Sequence, residues 1–176
     1  MMAVSIRALS EKDIHRLATI ADDKKVADTL RDYFPHPYSQ SDAEEYIKFV
    51  TSQDPTVNFG IIYNDLLVGI CGGIPMSDIH SHCLELGYWL GSDYWGKGIA
   101  SKAVKLLIDY YFGQKRYSRL HAITFSNNPA SQRVLTKNGF QQEGLLREYV
   151  YKNGEMLDAP TFSLLKREWK QANALQ

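Results

Sequence analysis

At 176 residues, with 20 Lys or Arg against 20 Asp or Glu, the chain fits one domain that buries roughly two-thirds of its unfolded surface. It is too evenly charged to be drawn as a whole to nucleic acid or to an anionic membrane. Two cysteines, Cys71 and Cys83, make no CxxC pair and no signal-like start precedes them, which argues against a disulfide framework and for a reducing cytoplasm. Apolar runs fall well short of the roughly 20 residues that span a bilayer, so a soluble protein without membrane partners is expected.

The opening segment reads as a strand from Val4 to Ala8. Ser10 then caps a helix, with Asp13 three residues on and Ile14, Leu17 and Ile20 facing inward. A second helical pattern runs from about Lys24 to Leu30 and is broken in "RDYFPHPYS" by Pro35 and Pro37, whose rings and missing N–H groups forbid continuation. Helix resumes in "SQSDAEEYIKFVTSQ", with Ser39 or Ser41 as cap and acidic residues in the first turn.

From Asn58 the period becomes extended: "NFGIIYN", a turn at Asn64 and Asp65, then "LLVGICGGIPM" read as an antiparallel hairpin. In the fourth strand, "LELGYWLG", alternation puts Glu85, Gly87 and Trp89 on one face and Leu84, Leu86, Tyr88 and Leu90 on the other. A glycine turn leads into a helix from about Gly98 to Phe112, with Ala100, Ala103, Val104, Leu107 and Tyr111 near one stripe. The strand "RLHAITF" follows, then a helix capped by Asn128 and stopped by Gly139, then two strands near Leu146 to Tyr151 and Ala159 to Leu165. These elements predict a single α/β domain over residues 1–176, with a mixed sheet and no repeat or linker.

The turn "YWGKGIASKA" has the character of an anion site, because the first turn of a helix presents unpaired N–H groups at the positive end of its dipole. A Walker loop needs four residues between its first glycine and Gly-Lys-Ser/Thr, and that spacing is absent; the dinucleotide fingerprint would need glycine where Ser101 stands. Alone, Gly-Lys-Gly after a strand is equally a tight turn without a ligand.

A second segment, "NNPASQRVLTKNGFQQEG", adds an Asn-capped helix and a Gly-Phe entry into another strand. Together the two motifs resemble the GNAT superfamily of N-acetyltransferases, and within it the branch similar to the RimJ/RimL ribosomal-protein acetyltransferases, over roughly residues 4 to 170. The resemblance implies the GNAT fold, a mostly antiparallel twisted central sheet of about seven strands flanked by about four helices. It also implies acetyl-CoA as co-substrate. In that family the pattern Q/R-x-x-G-x-G/A wraps the coenzyme A pyrophosphate with backbone amides; here it falls on Trp95, Gly96, Lys97, Gly98, Ile99 and Ala100, with Trp95 in place of the usual Gln or Arg.

Asn128 and Ser131 match the helix beside the pantetheine arm, although an ordinary N-cap before Pro129 accounts for Asn128 equally well. On the same resemblance the backbone N–H groups of Tyr88, Trp89 and Leu90 are oxyanion donors. Glu85 lies on a wall of the thioester cleft, where it could take a proton from the acceptor ammonium; a solvated strand carboxylate is the plainer alternative. Many relatives supply the acid as a tyrosine, but none lies between His121 and Glu148, and Ser131 is the nearest substitute. Asp32, Phe34, His36 and Tyr38 fall in the segment that lies over the acceptor site in similar proteins; a rigid interhelical connection is the alternative.

"HSHC", His80 to Cys83, has metal-binding residue types, but adjacent ligands in a short loop without a second cluster cannot complete a coordination shell, so no metal is expected. The expected activity is direct acetyl transfer to a primary amine, foremost a protein or peptide α-amine, by a monomer or homodimer. Acetylation of a polyamine, amino acid or aminoglycoside is the alternative enzyme, and a non-catalytic acyl-CoA-binding regulatory domain the alternative from another class.

Overall fold

The computed structural model describes residues 3–114 and 116–174. In chain order the elements are β1 (Val4–Arg7), α1 (Ile14–Ala21), α2 (Lys24–Ala27), α3 (Gln40–Thr51), β2 (Asn58–Tyr63), β3 (Leu66–Pro75), β4 (Cys83–Leu90), α4 (Ile99–Gly113), β5 (Arg119–Ile123), α5 (Pro129–Lys137), β6 (Gln141–Lys152), β7 (Glu155–Leu165) and α6 (Lys166–Ala174). The strands make one seven-stranded sheet in the order β1-β2-β3-β4-β5-β7-β6. Pairing is antiparallel between β1 and β2, β2 and β3, β5 and β7, and β6 and β7, and parallel between β4 and β5, as the intervening α4 requires.

By internal contacts the chain divides into two compact units. One holds the chain up to Gly72 together with Tyr88–Leu106; the other holds Gly73–Gly87 and the chain from Leu107 onward. In the first, Leu17 and Ile20 of α1, Ala43, Ile47 and Val50 of α3, and Ile62, Leu67 and Ile70 of the β2–β3 hairpin close one apolar cluster. The capping of both helices follows the sequence: Ser10 and Asp13 exchange hydrogen bonds in a capping box, and Ser39, not Ser41, does the same with Asp42. Asn64 and Asp65 both take positive φ, +48° and +65°, the conformation of a two-residue hairpin whose twist matches its strands. Gly69 lets β3 approach β4, since a Cβ there would lie 2.1 Å from the Trp89 carbonyl oxygen.

In the second unit Leu107, Tyr111, Leu120 and Leu135 are fully buried. At the end of α5, Gly139 (φ +84°) donates to Thr136 O and Phe140 N–H reaches Leu135 O, a left-handed glycine cap. Asn153 and Gly154, at φ +52° and +85°, turn β6 into β7.

Several boundaries differ from the sequence reading. The second helix stops at Ala27, not Leu30, its end closed by Asp28 N–H on Lys24 O. Ala100 is only half-buried, and the α4 stripe begins instead at Ile99, which is buried. The last two strands begin at Gln141 and Glu155, well before Leu146 and Ala159. Among the described residues there are six helices, against the about four that the resemblance implied: five fall where the sequence reading placed them, and α6 was not foreseen. That helix buries no residue and is tied down through Trp169, whose indole donates to Asp109 at 2.7 Å and whose ring lies 5.7 Å from that of Phe112.

Candidate active site

The glycine turn follows β4 and opens α4, a helix of 15 residues. Gly96 and Gly98 take φ +72° and +73°, values at which an L side chain is strained, and a Cβ at either would meet no atom within 4 Å. The backbone is bare on its outer side, and Gly96, Lys97 and Gly98 are exposed. Lys102 N–H on Gly98 O, at 3.3 Å, sets the start of the α4 ladder, so the amides before it precede the intrahelical bonds.

What precedes the turn is firmly held within the first unit. The Arg16 guanidinium donates to Leu67 O at 3.0 Å and to the Tyr94 hydroxyl at 2.7 Å. Lys97 Nζ lies 5.5 Å from the Tyr94 ring centroid. Hydrogen bonds from Ser92 hold the Asp23 carboxyl below the usual carboxylate range, tying the loop after β4 to the start of α2. Between this loop and the C-terminal half of α1 lies an open pocket of about 410 Å³, lined by charged and hydroxyl groups.

Trp95 turns both of its N–H groups back onto the loop. Its amide donates to Ser92 O at 3.1 Å and its indole Nε1 to Leu90 O at 2.8 Å. Both N–H groups are engaged within the loop.

The acceptor-loop candidates separate into three. Phe34 and Tyr38 join Trp89 in one aromatic group, with centroids 5.0 Å apart for Phe34–Tyr38 and 5.3 Å for Phe34–Trp89. Tyr38 is buried, which pushes its hydroxyl up to about 12, and its backbone N–H donates to Asp22 Oδ1 at 3.0 Å. His36 Nδ1 lies 3.6 Å from that same carboxylate oxygen. Asp32 is exposed.

In the second unit the parallel pairing of β4 and β5 runs from Cys83↔Arg119 to Glu85↔His121. Opposite residues share a face, so the Glu85 and His121 side chains lie together, Oε2 to Nε2 at 3.9 Å, with 25% and 17% of each exposed. Burial pulls the His121 imidazole below its ordinary value, against the pull of Glu85. His121 was missed in the sequence: one histidine in "RLHAITF" carries no signal until the strand register sets it beside Glu85.

At the head of α5, Asn128 Oδ1 accepts from Ser131 N–H at 3.1 Å, with Pro129 in the first helical turn. The cap is therefore real, and Ser131 sits at the third helical position. Among the described residues no group of three or more His, Cys, Asp or Glu is arranged to hold a metal; His80 ends a short helical turn, and Cys83 is buried at the start of β4.

Residues 4–141 match the model of the acetyltransferase (GNAT) domain. The chain belongs to that family. It is 31% identical over 174 residues to YdaF of Bacillus subtilis (strain 168), a putative ribosomal N-acetyltransferase, covering 95% of this chain and 93% of that one. It is 44% identical over 105 residues to the uncharacterized N-acetyltransferase p20 of Bacillus licheniformis, a match spanning 60% of this chain and 58% of p20. Its fold matches RimL, a ribosomal alpha-N-protein acetyltransferase solved in complex with coenzyme A, at TM-score 0.82 and 20% identity, covering 92% and 93% of the two chains. It matches spermidine N-acetyltransferase from Vibrio cholerae, in complex with CoA and spermine, at TM-score 0.80 and 22% identity, covering 95% and 98%. The RimJ/RimL-like resemblance and the GNAT fold are thus borne out.

Proposed function

We propose that the protein is a cytoplasmic N-acetyltransferase that moves acetyl directly from acetyl-CoA to the α-amine of a protein or peptide. The observation that carries this reading is the exposed pair Gly96 and Gly98, both at positive φ, at the head of α4 in a chain of the GNAT family. Such a turn suits a pyrophosphate: no side chain blocks the backbone, and the helix end favours negative charge. Gly96 to Ala100 would hold it, with Lys97 adding a positive charge. Asn128 and Ser131 would lie along the pantetheine arm.

Acetyl-CoA supplies the activated acyl group; the protein's residues orient it and manage protons. The amine nitrogen must be neutral to form its bond to the thioester carbon, so Glu85 takes the ammonium proton onto a carboxylate oxygen. Backbone N–H groups of Tyr88 to Leu90 stabilise the oxyanion. The carbon–sulfur bond would then break, and the proton that the attacking nitrogen must still lose would pass to the sulfur, directly or through the Ser131 hydroxyl giving up one proton as it takes another. An α-amine titrates near 8 and lysine near about 10.4, so an α-amine asks much less of its base. Direct transfer agrees with the cysteines: Cys71 and Cys83 are both buried, and burial pushes the Cys71 thiol well up, away from a thiolate nucleophile. The relation to YdaF, a putative ribosomal N-acetyltransferase, supports a protein acceptor over a small amine.

The test is release of free CoA from acetyl-CoA in the presence of an acceptor panel. The panel comprises Ser-, Ala- and Met-initiated peptides, an N-blocked lysine peptide, polyamines and an aminoglycoside. Turnover confined to free α-amines is the expected result. Turnover with polyamines or the aminoglycoside alone would replace the acceptor, and acetyl-CoA binding without turnover on any acceptor would make the protein a binding module.

A further inference from the structure

The candidate base has a neighbour to which neither family pattern nor sequence gives a role. Glu85 and His121 face each other across the parallel β4–β5 pair, 3.9 Å apart, and the row continues across the sheet. His121 is opposite Ser163 on β7, and Ser163 opposite Gln141 on β6. Ser163 is buried and hydrogen-bonds Glu143, which also makes a two-armed ion pair with Arg119.

Resting on the acetyltransferase reading, we propose that His121 is a positioning residue for Glu85: its neutral imidazole takes the proton that Glu85 removes from the acceptor ammonium, returning Glu85 to its carboxylate form. The step balances in two transfers. First an N–H bond of the ammonium breaks and an O–H bond forms on Glu85. Then that O–H bond breaks and an N–H bond forms at His121 Nε2, and the imidazolium loses its proton to solvent before the next turnover. The separation is about an ångström longer than a hydrogen bond, a gap that a turn of the Glu85 side chain or one bridging water closes.

The charges around His121 suit this exchange. Glu85 on β4 and Glu143 on β6 favour the imidazolium; Arg119 on its own strand and His80 before β4 oppose it, and burial opposes it more strongly than any of them. The ring is therefore neutral at neutral pH, yet two carboxylates receive the charge once it is protonated. Glu143 does not compete for the proton, since the Arg119 guanidinium pulls it down to about 2.

Two measurements test this. The first needs no substrate: the His121 imidazole is titrated by NMR in the unaltered protein and in Glu85→Gln. Removing the carboxylate charge should move the midpoint lower; an unchanged midpoint would overturn the pairing even if acetyl transfer is intact. The second compares pH profiles of kcat/KM. The unaltered enzyme should lose activity in acid at the His121 midpoint, whereas His121→Gln should lack that limb. His121→Gln should also lower kcat on the order of tenfold or more, with KM for acetyl-CoA unchanged and partial rescue by added imidazole. The same acid limb in His121→Gln would overturn the role. Failure of the unaltered enzyme to acetylate any amine would instead overturn the acetyltransferase reading, and this role with it.

Discussion

The indole of Trp95 donates to the carbonyl oxygen of Leu90 at 2.8 Å, closing the loop between the end of β4 and the glycine turn with one side chain. Where the family pattern carries Gln or Arg, this protein uses an aromatic staple directed back at its own backbone. Trp95→Phe keeps most of the ring and removes the donor. It should cost about 1 kcal/mol of stability and weaken acetyl-CoA several-fold, read by thermal unfolding and calorimetry. Unchanged values for both would show that the staple does not hold the turn.

Gly98 should be intolerant for a backbone reason rather than a steric one. Its φ of +73° strains any L side chain by about 1–2 kcal/mol, although a Cβ would meet no atom within 4 Å. Gly98→Ala should therefore fold, with acetyl-CoA affinity reduced on the order of tenfold. Gly113, the last residue of α4, lacks a positive φ, and Gly113→Ala should leave affinity unchanged.

Asn128 and Ser131 can be separated. Asn128 Oδ1 caps α5 through the backbone N–H of Ser131, so Asn128→Ala should cost about 1 kcal/mol of stability. Ser131→Ala retains that N–H and should unfold at nearly the same temperature. If the hydroxyl assists the leaving sulfur, Ser131→Ala lowers kcat at constant stability; an unchanged kcat removes it from the reaction.

Asp13 gives a stability prediction with a defined pH sign. The Arg7 guanidinium, 2.7 Å from Oδ1, holds the Asp13 carboxyl below its ordinary value, aided by Ser10. A depressed folded value means that the contribution is complete above the unfolded value of about 3.9 and is lost as the pH falls through the lower folded one. Asp13→Ala should be less stable by about 1–3 kcal/mol at pH 7, and the gap should shrink in strong acid. A gap independent of pH would show that the carboxylate charge is not its source.

The elements legible in the sequence were those with strong local chemistry. The capping residues Ser10, Ser39 and Asn128, the Asn64–Asp65 turn and the alternation of β4 all appear where expected. β6 was placed too late because it is exposed from Gln141 through Tyr149 and shows no buried face to give a period. Its turn, Asn153–Gly154, was an available hairpin signal. α6 escaped because it buries nothing and depends on Trp169 reaching Asp109, a contact between residues far apart in the chain. The same limit applies to the site. Glycine spacing pointed to the turn at the head of α4, but which Trp95 groups are engaged, and that His121 faces Glu85, follow from loop geometry and strand register.

The most direct test of the central claim is mass-spectrometric localisation of acetyl on a peptide carrying both a free α-amine and an internal lysine, after incubation with acetyl-CoA and the protein. The account predicts one acetyl group on the α-amine for each CoA released. Acetyl on the lysine alone, or CoA released without any acetylated peptide, would contradict it.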